Sequence, residues 1–258
     1  MDESVRAVLA KYSWEAHTSK HLKYFEIGAF DLEISLATDD TLHITDQKVS
    51  DEDCVALGKA LKAMSPVNMR HIYLSNNHIG DEGCAHIAEA AASLPNFELL
   101  YIARNRIGDA GVGAIVRQLA RTKVWQIVLT ENPFGDAAAA ALAAAVQADP
   151  SAFADLKWLF LDSSQLGDKG VASLATALTG GLKAITRLAL QSTKLTNRGL
   201  RSLADAIGKG ALPSCEFLYV QNNEFDASGK AVLKAATKPR GIRVHFGWPP
   251  PLPGVDYD

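Results

Sequence analysis

Short apolar pairs alternate with longer helix-like stretches along the chain, and the alternation returns at a nearly fixed interval. The segment IYLSNNHIGDEG at residues 72–83 recurs as LYIARNRIGDAG at 100–111 and IVLTENPFGDAA at 127–138. It returns again as LFLDSSQLGDKG at 159–170 and LALQSTKLTNRG at 188–199. A degraded copy, LYVQNNEFDASG, occupies 218–229, and LHITDQKVSDED at 42–53 fits the same frame. Copies therefore begin at 42, 72, 100, 127, 159, 188 and 218, spaced by 27 to 32 residues. Such a period marks a solenoid, whose units bury their apolar faces only against neighbouring copies.

Each unit has the same internal logic. The pairs Ile72/Leu74, Leu100/Ile102, Ile127/Leu129, Leu159/Leu161, Leu188/Leu190 and Leu218/Val220 are spaced by two, as in a short strand with one buried face. Three positions before each pair stands Met69, Phe97, Val124, Leu156, Ile185 or Cys215. Five positions into each unit comes Asn77, Asn105, Asn132, Ser164, Thr193 or Asn223, a side chain able to bond the turn backbone that no strand ladder satisfies. Asp81, Asp109, Asp136 and Asp168, with Asp51 and Asn197 in the equivalent places, are expected to cap the helices that follow. Behind them come helical patterns such as DEGCAHIAEAAASL and the nearly all-alanine run from residue 136.

The motif LxxLxLxxNxIGDxG with a full helix resembles the ribonuclease-inhibitor-like leucine-rich repeats, a group that includes the repeat domains of tropomodulin, Ran GTPase-activating protein and NOD-like receptors. The resemblance covers about residues 40 to 246. It implies an α/β horseshoe, with parallel strands on the concave face and helices on the convex face. It says little about function, since the same horseshoe serves inhibitors, GTPase regulators, cytoskeletal caps and sensors.

The organisation expected is an N-terminal cap over 1–40, about seven repeats plus a terminal strand over 41–246, and a proline-rich tail over 247–258. Within the cap, Asp2 to Trp14 reads as a helix and Phe30 to Leu36 as a strand. The tail carries PPPLP at Pro249–Pro253, either a strap over the last repeat or a polyproline motif for a WW- or SH3-like reader.

A net charge of -3 gives no field that draws the chain to nucleic acid or an anionic membrane. Three scattered cysteines, Cys54, Cys84 and Cys215, fit a reducing compartment, and the start of the chain lacks a signal-peptide core. The expected setting is the cytoplasm, with the nucleus a second option. No phosphate loop, GxSxG or HExxH occurs, so no catalytic residue, cofactor or metal is expected. His43 and His71 fall on neighbouring strands without a third ligand in their repeats. Cys54 and Cys84 take equivalent helix positions and are expected in the core. Lys230, Lys234 and Lys238 read as one solvated helix face.

The residues flanking and separating each buried pair point to the concave side. There the chain collects aromatics that burial does not require. The expected partner-binding set is Tyr73, Tyr101, Val128, Trp158, Phe160, Asp162, Arg187, Phe217 and Tyr219, with a dip at small Ala189 between two aromatic patches. Aromatic clusters on a surface are typical binding anchors. The expectation is a protein-binding scaffold or adaptor. The alternatives are a regulator of an enzyme such as a small GTPase, or an actin-associated structural protein.

Overall fold

The computed structural model describes residues 40–65 and 67–247, together with a two-residue antiparallel pair, β1 (Thr18–Ser19) and β2 (Leu22–Lys23). The expected cap helix at Asp2 to Trp14, the strand at Phe30 to Leu36 and the Pro249–Pro253 motif lie outside the described residues.

From Thr41 onward strand and helix alternate, with a short 3-10 turn (Lys238–Arg240) before the last strand. The strands are β3 (Thr41–His43), β4 (His71–Tyr73), β5 (Leu99–Tyr101), β6 (Gln126–Val128), β7 (Trp158–Phe160), β8 (Arg187–Ala189), β9 (Phe217–Tyr219) and β10 (Arg243–His245). They form one parallel sheet in chain order. Between them run α1 (Asp51–Met64), α2 (Asp81–Ser93), α3 (Asp109–Leu119), α4 (Asp136–Ala148), α5 (Asp168–Gly180), α6 (Asn197–Gly208) and α7 (Ala227–Thr237). Eight parallel strands alternating with seven helices make an α/β solenoid, and each unit carries the full helix that the ribonuclease-inhibitor-like resemblance implies.

The apolar pairs set the register. Ile72 pairs with Leu100, Leu100 with Ile127, and so on to Leu218 with Val244, so every repeat presents its leucine row to one continuous core. Ile72, Leu74, Leu100, Ile102, Leu188, Leu190, Leu218 and Val220 are fully buried, as are Met69, Val124 and Ile185 at the third apolar position. A one-residue slip would turn all of them outward, which is why the register is so strongly specified.

The asparagines tie each repeat to the one before it. Asn105 accepts from the Ile79 N–H at 3.0 Å and donates to the carbonyls of Leu74, Ile102 and Ala103 at 2.9, 3.2 and 3.0 Å. Asn77, Asn132 and Asn223 repeat the pattern. Ser164 keeps only a bond to the Leu161 carbonyl and a long contact from the Leu166 N–H. Its hydroxyl is too short to bridge repeats.

The aspartates differ from expectation. They occupy the first helical position, and the cap residue itself is Gly80, Gly108, Gly135 or Gly167, with no side-chain cap bond. Each aspartate instead caps the next repeat. Asp81 Oδ1 accepts from the Gly108 N–H at 2.7 Å and the Gly111 N–H at 2.9 Å, both at the start of α3. Asp51, Asp109, Asp136 and Asp168 do the same one repeat along. The acid neutralises the exposed N–H groups and positive end of a neighbouring helix, so the cap is also a bond between repeats. α1 is capped by its own Ser50 and Asp53, and α7 by Asp226, whose carboxyl is pulled down to about 2, chiefly by its hydrogen bonds to Ser228 and Gly229.

This cross-repeat cap explains the last glycine of the motif. A Cβ at Gly83 would sit 2.5 Å from Asp51 Oδ1 and 2.9 Å from the Asp51 Cα. Gly83→Ala therefore pushes α2 away from α1, and a loss of about 1–3 kcal/mol is expected in denaturant unfolding. Wild-type stability in that variant would mean the two helices are not held together through Asp51.

Candidate interaction surface

The strand side chains that face away from the core form three rows across the sheet. In the middle row His43 meets Tyr73 edge-on, with ring centroids 5.4 Å apart. Tyr73 stacks on Tyr101 at 5.6 Å. The row continues through Val128, Phe160, Ala189 and Tyr219 to His245, which stacks on Tyr219 at 4.9 Å. The adjoining row holds Trp158, Arg187, Phe217 and Arg243 in register. The Arg187 guanidinium lies 4.1 Å from the Trp158 ring centre and 5.6 Å from that of Phe217, and Arg243 covers Phe217 at 5.3 Å. The third row contains Ser75, Asp162, Gln191 and Gln221.

The strip is more closed than its sequence suggests. Val128, Phe160 and Tyr219 are 1%, 3% and 2% exposed, and Ala189 is 1% exposed, so no dip opens between two patches. Ala103, Val128, Phe160, Ala189 and Tyr219 form a second apolar cluster, separate from the main core, against which Tyr101, Trp158 and Phe217 pack. Parallel pairing sets like positions one strand spacing apart, about 4.8 Å, so rings of the middle row close over the small residues between them. Trp158 lies parallel to Phe160 at 6.1 Å, with Trp125 edge-on behind it at 5.3 Å. Of the nine predicted residues, Tyr73, Tyr101, Trp158, Arg187 and Phe217 remain half-buried.

Asp162 is buried too. Its carboxylate accepts from the Thr130 hydroxyl at 2.9 Å, and burial pushes its pKa up to about 6. Arg243, His245, Gln191 and Gln221 join the surface although they stand outside the predicted set. Their signal was available, because they occupy outward-facing positions of the same repeating frame.

The other chemical candidates resolve locally. His71 Nδ1 lies 3.1 Å from the Thr41 hydroxyl, and burial lowers the pKa of both His43 and His71. Cys54 and Cys84 are buried, and burial pushes both thiols far above the usual range. Among the described residues no group of three or more His, Cys, Asp or Glu could hold a metal ion, and no helix is long and apolar enough to cross a membrane. Lys230 and Lys234 extend over Phe225 and Phe246 at 5.4 to 6.0 Å. On the helical side, the small side chains of α4 leave a groove of about 510 Å³ against α3, lined by Gly113, Arg117, Ala141 and Ala144 among others.

Comparison with known proteins agrees with this architecture. The family described as Leucine Rich repeat matches residues 66–88 and 93–116. The mouse protein "NACHT, LRR and PYD domains-containing protein 5" is 30% identical over 214 residues, covering 71% of this chain. The aligned region spans only 18% of that protein's length. A solved structure of "Leiomodin-1 Actin-Binding Site 2 (ABS2)" matches 70% of this chain and 85% of its own, at 14% identity and a TM-score of 0.41, too loose a likeness to bear on function. Repeats that recur in one frame, stack in one register and match this family model together make the chain a leucine-rich-repeat protein.

Proposed function

We propose that the protein is a non-enzymatic binding scaffold or adaptor, working in the cytoplasm, that takes another protein on the strand-lined face of its horseshoe. The observation that carries this reading is half-buried Tyr73 and Tyr101 in the middle row, together with half-buried Trp158 and Phe217 on either side of the half-buried cation Arg187 in the adjoining row. Aromatic and arginine side chains held by their neighbours lose little entropy on contact, and they dominate measured interface energies.

Affinity capture from the native source, followed by titration of the captured partner, tests the proposal. Tyr101→Ala and Trp158→Ala are each expected to weaken that complex by about tenfold or more, roughly 1.4 kcal/mol or above. Lys169→Ala, exposed at the start of α5, is expected to leave it unchanged. Phe160→Ala is unsuited to this purpose, because Phe160 belongs to the buried cluster and its loss would unsettle the face itself. Normal binding by correctly folded Tyr101→Ala and Trp158→Ala would move the interface elsewhere, with the α3–α4 groove the next candidate.

A further inference from the structure

We propose that β8–β10 form a subsite for an acidic peptide segment of the partner, in which Arg187 and Arg243 receive a carboxylate and the Gln191 and Gln221 amide oxygens receive peptide N–H groups. The proposal rests on the strand-lined face being the binding surface.

The first observation is a bunching of unmet polar atoms. Arg187 Nη1, Tyr219 Oη, His245 Nε2, Gln191 Oε1 and Gln221 Oε1 are closed off from solvent and have no hydrogen-bond partner. They lie on three adjacent strands and the turns just beyond them, and the sixth such atom among the described residues, Ser75 Oγ, lies on the same face. Tyr219 and Gln221 are 2% and 5% exposed. A buried polar atom without a partner is costly, and native proteins carry few of them. Five in one patch describe a surface whose remaining bonds come from another molecule.

The second observation is charge. Four basic side chains meet acids from the neighbouring repeat: Lys62–Glu89, Arg70–Glu98, Arg104–Glu131 and Arg121–Asp149. Arg187 and Arg243 instead lie on opposite sides of the Phe217 strand, stacked on its ring. The acid in the outward rows is Asp162, one strand away from Arg187 and already bonded to Thr130. Stacking occupies the guanidinium faces, so a carboxylate fork would meet their N–H edges, where Arg187 Nη1 has no partner within the chain.

The mixture of groups selects the ligand class. A phosphate or nucleic-acid backbone supplies acceptors for the arginines and the phenol, yet it leaves the two glutamine oxygens unmet. An extended peptide supplies N–H donors and carbonyls alternately, and an Asp or Glu side chain adds the charge. The imidazole of His245, its pKa lowered by burial and by Arg243, contributes hydrogen bonding at neutral pH and no charge.

The test is anisotropy titration with a fluorescein-labelled random glutamate–tyrosine copolymer, with a lysine–tyrosine copolymer as control. The whole chain carries a net charge of -3, so non-specific attraction favours the lysine polymer. The expected result is at least tenfold tighter binding of the acidic polymer. Arg187→Gln combined with Arg243→Gln should lower that affinity at least tenfold. Gln221→Leu should lower it several-fold while folding normally, since it removes an unmet acceptor. Equal binding of the two polymers overturns the proposal, as does unchanged affinity in both variants or better competition by a thymidine oligonucleotide. If the captured partner is lost with Tyr101→Ala but retained by the arginine and Gln221 variants, the subsite fails while the binding face stands.

Discussion

Asn105→Ala lowers the unfolding free energy by about 2–3 kcal/mol, a drop of roughly 5–10 °C in melting temperature for a chain of this size. The cost is not spread evenly over the four lost bonds. The Leu74 carbonyl keeps a bond from Asn77, the Ile102 carbonyl keeps one from Asn132, and the Ala103 carbonyl keeps one from the Asn76 N–H. The Ile79 N–H, bonded to Asn105 Oδ1, keeps none and becomes a buried orphan. Asn105→Ser should fall between the two, because a hydroxyl at this position still reaches its own strand, as Ser164 reaches Leu161. Differential scanning calorimetry of the three proteins is the measurement. Equal melting temperatures would mean the asparagine ladder adds nothing to the cohesion of neighbouring repeats.

The ladder also marks how far the sequence could be followed. Strand positions, register and the asparagine role were legible because each depends on spacing within one repeat, and the spacing recurs. The aspartates were misassigned for a physical reason. An acid just ahead of a helical run looks the same in sequence whether it caps its own helix or the neighbour's. Only the stacking distance between repeats brings Asp81 to Gly108 and Gly111. The final glycine of the motif carries that information indirectly, since α1–α2 contact through Asp51 leaves no room for a methyl at Gly83.

The aromatic strip was legible in identity and row but not in exposure. Trp158 and Phe160 alternate with a core leucine, so the outward direction of both follows from strand geometry. Their accessibility depends on what stands on the strands beside them, which carry Gln126 and Val128 on one side and Arg187 and Ala189 on the other. The result divides one predicted set into a closed layer, Val128, Phe160 and Tyr219, and a half-open layer that can still meet a partner. The unmet atoms of Arg187, Gln191 and Gln221 belong to the same surface and have no signature in sequence, because an unsatisfied group is defined by its surroundings.

Asp162→Asn is expected to stabilise the protein by about 2–3 kcal/mol above pH 7 and to have little effect near pH 4, since each tenfold change in proton affinity is worth roughly 1.4 kcal/mol. The carboxyl titrates near 6 in the folded protein, raised first by burial and further by Glu131, against an ordinary value near 3.9 in the unfolded chain. Between those values the folded state binds the extra proton, so stability falls as pH rises from about 4 to above 6. The ionised carboxylate is thus a cost carried in full at neutral pH. An amide removes the charge and retains an oxygen for the Thr130 hydroxyl, the bond now 2.9 Å long. The adjacent strand carries Gln191 at the corresponding position, and its amide oxygen, which has no partner, is a candidate acceptor for the new NH₂. The measurement is denaturant unfolding of both proteins across pH 4 to 8. A stability difference that stays constant with pH would show that Asp162 titrates as an ordinary acid. A difference that grows as pH falls would reverse the sign and mean the carboxylate is held in its charged form. If the growth runs with rising pH as expected, the natural residue has been kept at a cost to stability.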